Sequence, residues 1–108
     1  MSRSVLLTDG AARDLDELYA AAYDRGGAVQ ADRLLDRIQI AFERLAMDAA
    51  SGQPPPELGR LGLDDGLQLR DGDLRFVYHL READIVLVLI APEGRSMQSL
   101  LQRRLLDS

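Results

Sequence analysis

Apolar side chains recur at helical spacing along the first half of the chain, and alternate or run together along the second. Ser4–Thr8 reads as a short strand, because Val5, Leu6 and Leu7 are adjacent and apolar, the pattern of a strand covered on both faces. Thr8 or Asp9 then caps a helix, and Asp9 also suits the positive helix start. That helix is predicted over Ala11–Tyr23. Leu15, Leu18, Tyr19 and Ala22 fall on one stripe at i, i+3, i+4 and i+7, while Arg13, Asp14, Asp16 and Glu17 lie mainly off it. Gly26-Gly27 stops it. A second helix is predicted over Val29–Met47, with Leu34, Ile38, Ala41, Phe42 and Leu45 at helical spacing. The short link between the two predicts an antiparallel helical hairpin. Ser51–Gly59 reads as a loop, since Pro54-Pro55-Pro56 cannot continue a helix and favours an extended course.

The second half changes period. Leu67–Arg70 reads as a strand, and Asp71-Gly72 is a hairpin turn signal. Over Leu74–Leu80, Leu74, Phe76, Tyr78 and Leu80 face one side and Arg75, Val77 and His79 the other. Arg81–Asp84 makes a second tight turn. Ile85–Ala91 is a continuous apolar run, which predicts a central strand. Pro92-Glu93-Gly94 ends it, and Ser96 caps a last helix, Met97–Leu106, whose apolar side carries Met97, Leu100, Leu101 and Leu105. The predicted fold is α+β: an N-terminal strand, an antiparallel two-helix hairpin packed on a small antiparallel sheet (a three-strand meander), and a short C-terminal helix.

Composition narrows what such a domain does. A chain of 108 residues is one domain, spanning 1–108, able to bury roughly two-thirds of its unfolded surface. It has no cysteine, so disulfides and thiolate metal sites are excluded, and its one histidine, His79, cannot build a metal cluster without carboxylate help. No cofactor and no metal are expected. No segment reads as a signal peptide or a membrane span, so no membrane partner and a cytoplasmic location are expected. The net charge of −5 argues against direct nucleic-acid binding. All 13 basic residues are arginines, so no lysine is present as a general base, and planar, bidentate contacts to carboxylates or phosphates take its place.

Three segments, "ARDLDELYAAAYDRGG", "ADRLLDRIQIAFERLA" and "GLQLRDGDLRFVYHLREADIVLVLIAPEGRS", together resemble the RelE/ParE toxin superfamily, closer to the ParE side. The first two resemble the helical hairpin of ParE-like toxins. The third resembles their meander, whose middle strand carries an arginine and a tyrosine, here Arg75 and Tyr78. The resemblance implies the toxin half of a type II toxin–antitoxin pair, neutralised by a cognate antitoxin with a ribbon-helix-helix DNA-binding part. The ParE-like branch implies a non-enzymatic inhibitor of DNA gyrase that causes growth arrest. The RelE-like branch implies a ribosome-dependent mRNA interferase. An inactive family member serving as an antitoxin-binding module is a third reading.

Carried over one position at a time, the RelE-type nuclease residues match in part. The basic residues of the first meander strand fall at Gln68 and Arg70, the middle-strand arginine at Arg75, the arginine after the last strand at Arg95, and the final-helix tyrosine near Leu101. Phosphate-binding arginines survive, the lysine and tyrosine do not, and His79 is the candidate for a substitute base, although a histidine on a strand face beside Arg75 and Arg81 reads first as structural. The ParE-like reading therefore comes first, with no catalytic residue. Its target-binding candidates are Arg70, Arg75, His79, Glu93, Arg95, Arg103 and Arg104, and its antitoxin-binding candidates are Met97, Leu100, Leu101 and Leu105. Each arginine also has a plainer reading: Arg70 as an exposed hairpin pair with Asp71 and Asp73, Arg75 as a side chain facing water, Arg103 and Arg104 as cations suited to a last helical turn.

Overall fold

The computed structural model describes residues 3–49, 52, 66–92, 100, 101, 103 and 104. The chain begins with a strand, β1 (Ser4–Leu7), and passes directly into a helical element, α1 (Asp9–Asp48). Thr8 is the N-cap: its backbone is extended, its side chain accepts from Ala11 N at 3.2 Å, and Asp9 puts a carboxylate on the first turn. Three strands follow, β2 (Leu67–Asp71), β3 (Leu74–Arg81) and β4 (Asp84–Pro92).

The predicted fold class needs correcting in three respects. The helices expected as two elements, Ala11–Tyr23 and Val29–Met47, form one element, Asp9–Asp48, broken only at Gly26 and Gly27, whose dihedrals are non-helical. Helical geometry runs up to Arg25 and resumes at Ala28, so the glycine pair is a two-residue break rather than a linking loop. A straight 40-residue helix would be about 60 Å long, whereas the molecule's longest extent is 40 Å, so the element turns sharply at that break. Second, the sheet has four strands rather than three and is mixed rather than antiparallel. Its order is β1-β4-β3-β2, and β1 pairs parallel to β4, Ser4 with Asp84 through Leu7 with Leu87. Third, the expected helix Met97–Leu106 does not stand as an element among the described residues: 100, 101, 103 and 104 have helical conformation, and the rest of that range lies outside them. The Pro54-Pro55-Pro56 segment also lies outside them.

Strand alternation divides the core. On one sheet face Leu74, Phe76, Tyr78, Ile85, Leu87 and Ile90 pack against Ala11, Ile38, Ala41 and Leu45 of both arms of α1. The rings of Phe42 and Phe76 meet edge to face, with centroids 6.2 Å apart. On the other face Val77, Val88, Leu89 and Ala91 pack with Leu101. Leu89 pairs with Val77 and Leu87 with Tyr78, so Val88 is an extra residue in β4, a bulge that places both Val88 and Leu89 on the second face. β4 lies inside the sheet, as its unbroken apolar run requires. β1 is an edge strand, and Leu6, expected to be covered, is 49% exposed because no described residue lies over the second face at that end.

Candidate functional site

The second sheet face collects the polar candidates of the meander. Register pairs Arg70 with Arg75 and Gln68 with Val77, and alternation places Arg75, Val77 and His79 on the side away from α1. Arg70 and Arg75 are therefore direct cross-strand neighbours. His79 is half-buried four residues along β3, about 13 Å from Arg75 at ordinary strand rise.

Arg75 does not face water. It is 5% exposed, and its Nε and Nη2 both donate to Oε1 of Gln68. A guanidinium removed from solvent needs such partners, because an uncompensated buried charge costs several kcal/mol (about 3–5). The two arginines after β4 differ in environment: Arg103 is exposed, whereas Arg104 is half-buried and committed to the fold. Its Nη1 and Nη2 donate to the two carboxylate oxygens of Asp14 at 2.9 and 3.0 Å, and Nη1 also donates to Val88 O at 2.7 Å. The hydrogen bonds to Asp14, more than any other influence, raise the Arg104 pKa above its ordinary value. Of the apolar candidates, Leu101 is fully covered by the chain itself and Leu100 is half-buried beside it. Glu93, Arg95, Met97 and Leu105 lie outside the described residues.

Sequence reasoning missed two ion pairs that tie α1 to later parts of the chain, Asp14 with Arg104 and Arg37 with Asp73 of the β2–β3 turn. From sequence, Asp14 reads only as a residue off the apolar stripe. Arg37, on the second arm, donates to Asp73 Oδ1 at 2.9 Å and to Asp71 O at 3.2 Å, gripping the β2–β3 turn. Arg37 holds the Asp73 carboxyl below the usual carboxylate range, chiefly through that hydrogen bond. Partners 36 and 90 positions apart leave no local signal. A groove of about 530 Å³ opens between the arms of α1 and the end of β4, lined by Leu18, Arg25, Leu34, Arg37, Leu74 and Pro92 among others. Among the described residues no group of three or more His, Asp or Glu side chains is placed to hold a metal ion, and no helix is long and apolar enough to cross a membrane.

The fold has known counterparts. The chain's fold is similar to that of the chromosomal ParDE toxin–antitoxin system of P. aeruginosa, with a TM-score of 0.67 and 19% identity over 84% of this chain and 96% of that one. It is also similar to the toxin–antitoxin complex RelBE2 of Mycobacterium tuberculosis, with a TM-score of 0.65 and 20% identity over 88% of this chain and 95% of that one. No curated protein sequence matches the chain. The family described as the ParE toxin of type II toxin–antitoxin system, parDE, matches residues 5–97. That match runs from Val5 in β1 through α1, β2, β3 and β4, and by it the chain belongs to the ParE toxin family of type II toxin–antitoxin systems.

Proposed function

We propose that the chain, when free, is a non-enzymatic inhibitor of DNA gyrase, and that a co-expressed antitoxin binds and neutralises it. The observation that carries the non-enzymatic reading is Arg75. An RNA-cleaving centre needs cations aimed at the scissile phosphate and a general acid and base within hydrogen-bond reach of the reacting oxygens. Here the middle-strand arginine is buried and turned onto the neutral amide oxygen of Gln68, with His79 about 13 Å further along the strand. The chain has no lysine among its 13 basic residues, and Leu101, at the position of the final-helix tyrosine, is packed in a core. A protein target makes fewer demands, since exposed arginines such as Arg70 and Arg103 anchor protein interfaces by forked hydrogen bonds and stacking. The antitoxin partner follows from family membership and from the two similar structures, which are titled as toxin–antitoxin assemblies.

Two assays on the purified chain separate the readings. Supercoiling of relaxed plasmid by gyrase should fall as the chain is titrated in and return when antitoxin is added. Messenger RNA on programmed ribosomes should stay intact. Ribosome-dependent cleavage lost in His79→Ala would move the chain to the mRNA-interferase reading, and inactivity in both assays by a chain that still binds antitoxin would make it an antitoxin-binding module.

A further inference from the structure

β1 ends at Leu7, paired with Leu87, and Thr8 N donates to Leu87 O as the chain turns into α1. Among the described residues no strand lies on that side of β4 beyond Leu87, and the bulge residue Val88 pairs with no residue of β3. A buried sheet edge of this kind leaves backbone groups that must be satisfied. Two side chains from opposite ends of the sequence satisfy them. Asp14 Oδ2 accepts from Ile90 N at 3.0 Å, and Arg104 Nη1 donates to Val88 O at 2.7 Å. The same carboxylate and guanidinium then close on each other through a bidentate ion pair. Asp14 and Arg104 are only 13% and 23% exposed, so solvent screens the pair weakly.

We propose that this ion pair is a latch. It holds residues 100, 101, 103 and 104 as a strap over the second sheet face and keeps the apolar surface of Val77, Val88, Leu89 and Ala91 covered beneath Leu101. Two observations besides the ion pair support a device of this kind. Leu101 is 0% exposed, so what the strap covers becomes wet when it lifts. Gly10, in the first turn of α1, makes room for the latch: a Cβ there would lie 2.8 Å from Cδ, Nε and Cζ of Arg104. The absent side chain at position 10 thus gives the guanidinium its seat between the helix start and β4.

The chain has no cysteine, so an introduced thiol is its only thiol. Leu101→Cys reports lifting of the strap through its rate of modification by a soluble disulfide reagent. Ala41→Cys, also at 0% exposure but in the core between α1 and the sheet, reports global opening. Each is measured alone and combined with Arg104→Ala or Gly10→Ala. Losing a bidentate, charge-assisted pair should speed modification at position 101 by about tenfold or more and leave position 41 unchanged. Gly10→Ala is the stricter arm: it keeps both charges, and helix propensity alone would favour it, so by propensity it should not open the fold. Parallel acceleration at both positions would reduce the pair to an ordinary contributor to global stability and overturn the latch. No acceleration at position 101 in either variant would show that Leu101 seats the strap unaided, and would overturn it equally.

Discussion

Tyr78 shows how one side chain of the meander joins sheet to helix. It is 1% exposed, and its hydroxyl donates to Ala49 O at 2.6 Å, at the C-cap of α1. Burial raises its pKa above 10.0, the charge of Asp48 adds to this, and a backbone hydrogen bond from Gly52 opposes it. The folded protein therefore prefers the neutral phenol. Its contribution to stability is fully present below the unfolded pKa of 10.0 and is lost as pH rises through the higher folded value. Tyr78→Phe should cost about 1 kcal/mol at neutral pH, because Ala49 O keeps the hydrogen bond from Gly52 N. Above pH 10 the wild type should lose stability faster than the variant, so that the two denaturation curves converge. Curves that stay parallel into the alkaline range would show that the hydroxyl is not titrating inside the fold. The aromatic character of position 78 was legible from strand alternation. Its hydrogen bond was not, because the acceptor is a backbone carbonyl 29 residues away. The plainer reading of Arg75, a side chain facing water, fails for a related reason. Alternation assigns a face but does not say whether that face is covered, and Gln68, Arg75's partner, sits on a different strand.

At the scale of elements, the apolar stripes located both arms of α1, and the glycine pair located the break between them. From sequence alone the break reads as a link between two separate helices, because two glycines serve a tight break and a loose link equally well. The dihedrals distinguish them. Gly27 holds φ 72° and ψ −164°, a region that residues with a Cβ avoid. A Cβ at Gly27 would meet nothing within 4 Å, so Gly27→Ala is strained by its backbone alone. It should cost about 1–3 kcal/mol, read as a lower midpoint in urea with an unchanged slope. An unchanged midpoint would mean that the break tolerates other dihedrals. Gly26 differs: its φ of −147° is open to any residue, but a Cβ there would crowd Gln30. The strands were placed within a residue or so by their periodicity and turn signals. Membership of β1 in the sheet was not legible, since four apolar-leaning residues before a helix carry no mark of the strand they will pair with.

The whole molecule is closed by contacts between its ends. β1 is pinned on β4, Arg3 N donates to Ala46 O, and Asp14 holds Arg104 across 90 positions. The parallel pairing of Ser4 with Asp84 joins residues 80 positions apart. That separation sets a timetable for the chain as it is made. At roughly 5–20 residues per second of synthesis, β1 waits on the order of 4–16 s before the strand it needs exists. In that interval Val5 and Leu7 have no sheet to join, and neither arm of α1 has Ile85, Leu87 or Ile90 to cover its stripe. A chain stopped after residue 83 should therefore give no cooperative thermal transition by circular dichroism, where the full chain gives one, and a sharp transition in the fragment would show that β4 is dispensable. Since non-local closure also slows the folding step itself, the sheet is assembled only after β4 has been translated.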